Sequence, residues 1–143
     1  MILFGSSSPI LVDINLFTQV GLVVLLLFGI YKKKPFRYHG KVMAVSTVVN
    51  LVTIASIMVP SLVINFNAFL TLPTPPGPAI ILIHSFVGII AIAFGVLFTV
   101  RFIMALRNSE PLLCGKRRLM WATAILWLYS FGGGVAFYIF YHL

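Results

Sequence analysis

Apolar residues run along this chain in four long blocks, separated by short basic or proline-rich segments. The blocks are Leu11–Tyr31, Val42–Val63, Ala79–Val100 and Leu119–Tyr141. A helix that crosses the hydrocarbon core of a bilayer needs about 20 mostly apolar residues, and each block meets that length. Strands are far shorter, so the pattern predicts four helices. Each block also carries a sparse seam of polar or small residues at helical spacing. In the first, Asn15, Thr18 and Gln19 stand at i, i+3 and i+4; in the second, His39, Met43, Ser46, Asn50 and Thr53 follow one face. The third aligns His84, Gly88, Ala91, Gly95 and Thr99, and the fourth aligns Thr123, Trp127, Ser130, Gly134 and Tyr138. Residues so spaced share one side of a helix. Polar and small side chains inside a membrane belong against protein rather than lipid, so the seams predict a compact bundle with a polar interior stripe.

Composition turns a helical reading into a membrane one. Of 143 residues, 61% are hydrophobic and 8% charged, and the mean hydropathy is +1.12. A soluble domain carries about a quarter charged residues; a water-soluble globule is excluded. The expectation is an all-α integral membrane protein whose four transmembrane helices, joined by short connections, form an up-down bundle. One membrane domain spans residues 1–143, with no soluble domain left over.

Charge adds the orientation. The ten basic residues flank two connections only. Lys32, Lys33, Lys34, Arg37 and Lys41 surround the first; Arg101, Arg107, Lys116, Arg117 and Arg118 surround the third. The connection Ile64–Pro78 and both ends have none. Positively charged loops stay cytoplasmic, which predicts the N-terminus and C-terminus outside, in the cell membrane. The net charge of +8 then reflects topology and attraction to anionic lipid headgroups, so the bilayer, and no nucleic acid, is the expected partner of these residues. Met1–Ile10 lacks the basic start of a cleavable signal, so the first helix is expected to be retained. The stretch Thr71–Pro78 holds four prolines (Pro73, Pro75, Pro76 and Pro78) and predicts an extended path, and Pro60 predicts a kink or an end in the second helix. Cys114 is the single cysteine, which precludes an intramolecular disulfide.

Candidate chemistry reduces to three histidines. His39 falls at the inner, basic end of the second helix, His84 early in the third and His142 at the outer end of the fourth. A bis-histidine haem needs imidazoles on both faces of one macrocycle; His84 and His142 are the same-side pair, and His39 lies almost a bilayer away. A copper site from that pair needs a third donor, with Asp13 the candidate by depth. The competing reading makes His84 an interior histidine satisfied by Asn15, Gln19 or a water, and it is the preferred one. The two acids, Asp13 and Glu110, fall on opposite sides, so no carboxylate dyad forms. No phosphate loop or paired-cysteine metal motif occurs. No cofactor is expected, haem or copper being the alternative, and the interior polar candidates are His39, His84, Asn15, Gln19 and Asn50.

The order of these short motifs resembles a known group. An Asn in the outer half of the first helix precedes a basic loop. A His-x-x-x-Met follows at His39–Met43, then Ile83–His84 early in the third helix. The fourth carries Trp127–Tyr129, with Gly134, Tyr138 and Tyr141 behind it. This is similar to the YozB/CtaM-like family of small membrane proteins, long a family of unknown function. The resemblance covers Asn15 to Tyr141. It implies four membrane helices and an association with haem-copper terminal oxidases as a maturation factor, and it brings no catalytic residue. The recurring family histidines match His39 and His84; a third, before the last helix, is replaced by Lys116. The resulting expectation is a non-enzymatic accessory protein. It would serve as a subunit or assembly factor of a membrane oxidase or a related copper or haem oxygenase, with aromatics such as Phe66, Phe69, Trp121 and Phe137 packing against larger subunits. The alternative is a b-type haem-binding or quinone-linked electron carrier.

Overall fold

A computed structural model describes residues 9–32, 34–71, 76–111 and 117–142, with side chains placed except at 9, 65, 68–70, 76–77 and 140–142. Helices account for nearly all of it: α1 (Pro9–Tyr31), α2 (Phe36–Thr53), a π-helical turn (Ile54–Met58), α3 (Val59–Leu70), α4 (Pro76–Arg107) and α5 (Arg117–His142). Among the described residues there is no strand. The π turn and α3 continue α2 without a break. Four helical spans of the described chain are therefore long and apolar enough to cross a membrane: Ile10–Tyr31, Phe36–Ile64, Pro78–Arg107 and Arg117–Ile139.

These helices outrun the apolar blocks that predict them. α2 begins at Phe36 rather than Val42, because Arg37, Tyr38 and Lys41 are acceptable helix formers although they are not apolar. Its N-terminal turn is closed by Pro35, whose carbonyl accepts from Tyr38 and His39. α4 runs to Arg107, where Ser109 takes a left-handed φ of 53° and Glu110 N–H donates to the Ala105 carbonyl, a C-terminal cap of the kind that αL residues build. The connection expected at Ile64–Pro78 is shortened from both sides. Pro76 and Pro78 sit in the first turn of α4, where their missing N–H groups would have had no intrahelical partner. Pro60 neither ends nor replaces the second span. The π turn that precedes it loosens the i→i−4 ladder where the proline cannot donate and its ring needs room.

The interior is the reverse of a soluble core. Buried polar residues are His39, Ser46, Thr47, Asn50, Thr53, Thr123 and Ser130; the buried apolar set is Leu22, Leu26, Ile81, Ala91, Ala124 and Trp127. Large apolar side chains such as Phe17, Val63, Phe86 and Ile125 point outward. In a medium as apolar as hydrocarbon, burying a leucine gains little, and close packing of small and hydrogen-bonding residues holds helices together. The hydroxyls satisfy themselves one turn back: Ser46 on Val42 O, Thr47 on Met43 O, Thr53 on Val49 O and Thr123 on Leu119 O, all at 2.9 Å. This local bonding leaves their carbon atoms free to pack. Gly95 of α4 lies so near α2 that a Cβ there would stand 3.2 Å from Thr47 Oγ1, and Gly40 of α2 lies under the ring of Phe102. Leu26, Ala91 and Trp127 join α1, α4 and α5 in one cluster.

Candidate functional site

The polar seams meet across helices in pairs. Gln19 Nε2 of α1 donates to Asn50 Oδ1 of α2 at 3.1 Å. Tyr138 of α5 donates its hydroxyl to Asp13 Oδ1 of α1 at 2.7 Å. His39 is buried, with Nδ1 at 2.7 Å from Gly29 O; it ties the first turn of α2 to the end of α1. His84 is partly buried, and its Nδ1 lies 2.7 Å from Ser130 O of α5. A carbonyl oxygen only accepts, so in both rings Nδ1 carries the proton in this contact.

The partner of His84 differs from the expected Asn15, Gln19 or water. Depth along the bundle allows those side chains, but α4 packs closely on α5. The reason is the glycine run Gly132–Gly134: a Cβ on Gly134 would lie 3.2 Å from His84 Cε1, and one on Gly133 would lie 3.4 Å from His84 Cβ. Without side chains there, the imidazole comes close to the α5 backbone and reaches a carbonyl. The three consecutive glycines were the sequence signal for this contact.

Two polar atoms in this region have no partner in the structure. Asn15 Oδ1 and Trp127 Nε1 are both buried without a hydrogen bond, and Trp127 as a whole is only 6% exposed. Both residues line a cavity of about 290 Å³ between the helices, together with Gln19, Asn50, His84, Ser85, Ser130 and Tyr138. Apart from these and Ser61 its walls are apolar, and the π turn contributes Ile54, Ile57 and Met58. π-bulges recur at functional sites because they re-aim the side chains that follow. The cavity thus gathers His84, Asn15, Gln19 and Asn50, four of the five interior candidates; His39 stands apart at the Gly29 contact. Sequence reasoning placed Trp127 in a seam without assigning it a task, and it missed the bond between Asp13 and Tyr138.

Among the described residues, no three His, Cys, Asp or Glu side chains come together. Asp13, the expected third copper donor, accepts instead from Tyr138. A cavity of about 290 Å³ lies at the small end of the range for ligand pockets. The side chain of His142, and with it the His84–His142 pair, lies outside the described residues, as do Lys33, Cys114 and Lys116. The described basic residues Lys32, Lys34, Arg37, Lys41, Arg101, Arg107, Arg117 and Arg118 are all exposed.

Comparison with known protein families, curated proteins and solved structures gives no match to this chain.

Proposed function

We propose that this chain is a non-enzymatic accessory protein of the cell membrane, a subunit or assembly factor of a haem-copper oxidase or a related copper or haem oxygenase. In this reading the helices alternate up and down, the basic connections face the cytoplasm, and both ends lie outside. Support for the alternation comes from paired contacts in opposite order: Gly29 with His39 but Gln19 with Asn50, and Gly40 beside Phe102 but Gly95 beside Thr47. The basic flanks supply the orientation. The observation that carries the reading is how the polar side chains are used. Gln19, His39, His84 and Tyr138 each bond to a neighbouring helix, which is the work of a scaffold, while large apolar side chains face outward for lipid or larger subunits. The oxidase connection rests on the motif order from Asn15 to Tyr141.

Deletion of the gene and gentle-detergent purification of the tagged chain test this together. The expected outcome is loss of terminal oxidase activity on deletion and co-migration of the chain with oxidase subunits. His84→Phe is expected to weaken assembly more than His39→Phe or His142→Phe, because it also alters the cavity. A fully active oxidase in the deletion strain, with the chain recovered alone, refutes the proposal.

A haem-binding or quinone-linked carrier is the second reading, and one observation favours it. An imidazole whose Nδ1–H is held by a carbonyl presents Nε2 in the way that ligating histidines do, and His84 has that arrangement at the cavity. A reduced-minus-oxidised spectrum of the pure chain decides it: a flat Soret region rules out resident haem.

A further inference from the structure

The cavity lies between two apolar clusters. Toward the start of α1, Ile81 packs with Val12, Leu62 and Phe137, one side chain from each of the four spans. Toward the middle of the bundle, Leu26, Ala91 and Trp127 pack together. Members of both clusters line the space, so side chains stop it at either end. Its flank is different: Val59 of α3 and Ile89 of α4 belong both to its wall and to the exposed apolar surface. The way in is therefore lateral, from the medium that covers that surface. For a membrane-spanning chain that medium is hydrocarbon.

We propose that this cavity holds one acyl chain of a membrane phospholipid, entering from the side. The wall suits such an occupant. Its polar side chains are engaged with protein, Gln19 with Asn50, His84 with Ser130 and Tyr138 with Asp13. Among the described residues no Lys, Arg, Asp or Glu lines it, so nothing in the wall selects a charge. Left empty, the apolar walls would forfeit dispersion contacts on one side; a hydrocarbon chain restores them. Size agrees as well: a cavity of about 150 Å³ accommodates the six carbons of benzene, so about 290 Å³ takes roughly eleven or twelve, a single chain. The lining on α4 runs from Ile81 to Ile92, about 16 Å of helix axis, which is near half of a ~30 Å hydrocarbon core and thus one leaflet deep. That leaflet is the one away from the basic connections. Such a site requires the membrane placement given above and is indifferent to the oxidase connection.

The test uses the full chain carrying Trp121→Phe, which leaves Trp127 as its one indole, in vesicles of dioleoylphosphatidylcholine. Flotation of the vesicles checks insertion, so a failure of the membrane reading is seen separately. The lipid is then replaced stepwise by its form brominated at mid-chain, and the fluorescence of Trp127 is followed. The expected result is strong quenching by the brominated lipid, although Trp127 is buried, and little quenching by acrylamide in the buffer. Ser85→Leu on α4 and Val135→Phe on α5 fill the cavity from two walls, and each is expected to remove most of the quenching. Far-UV circular dichroism identifies a variant that fails to fold, and the other then decides. Absence of quenching by the brominated lipid overturns the proposal, because no acyl chain then reaches the indole. Quenching by acrylamide in its place means a water-filled space and overturns it too. Quenching that survives in a folded filled variant means that the bromines act from the surrounding bilayer, and it is equally fatal.

Discussion

The contact between His84 and the α5 glycines can be measured by a double-mutant cycle of Gly134→Ala and His84→Ala. A methyl group on Gly134 would meet His84 Cε1 at 3.2 Å and Nδ1 at 3.7 Å. The ring has little freedom to retreat, because Nδ1 is held 2.7 Å from Ser130 O and its Cβ already sits against Gly133. Overpacking at such a site costs at least about 1 kcal/mol. Replacing a helical glycine by alanine gains up to about 1 kcal/mol in soluble helices, so Gly134→Ala alone should change stability little, and by itself decides nothing. In the His84→Ala background the obstruction is gone and the propensity gain remains. The coupling energy should therefore be about 1 kcal/mol, with Gly134→Ala better tolerated in the His84→Ala background than beside the native imidazole. Unfolding of the four proteins by SDS in mixed micelles, followed by far-UV circular dichroism, gives the free energies. Additivity within about 0.3–0.5 kcal/mol, the scatter of independent sites, would refute the reading that His84 rests on the α5 backbone.

Two further outcomes follow from other parts of the bundle. Gln19→Leu removes the donor to Asn50 Oδ1 and leaves a buried amide unmet, so it should cost roughly 1–2 kcal/mol in the same assay, whereas Gln19→Leu with Asn50→Leu should cost less than the sum, because both partners become apolar together; strict additivity would sink this. Cys114, the single thiol, lies in the basic third connection and should react with a membrane-impermeant maleimide in inverted vesicles but not in right-side-out cells; the opposite pattern would reverse the proposed orientation.

What the sequence revealed and what it hid divide along a physical line. The seam of the second block is the clearest success: His39, Ser46, Asn50 and Thr53 all prove buried, because a period of 3.6 residues records which side of a helix faces protein. The helix ends were misjudged for a related reason. Hydropathy reports how much chain lies in hydrocarbon, whereas a helix continues wherever its backbone can bond, through Arg37 and Lys41 at one end of the bundle and from Pro76 at the other. Pro60 was read as a kink or an end because a proline removes one hydrogen bond; that the helical span runs on past it through a widened turn has no local signature. His84 shows the deeper limit. Its depth was legible from its place in the block, but its partner depends on rotation about the helix axis and on which neighbour approaches closest, and Gly132–Gly134 settled that in favour of α5. An unmet atom such as Trp127 Nε1 is hidden further still. No residue encodes a missing partner, since it arises only from the way several helices close around the indole.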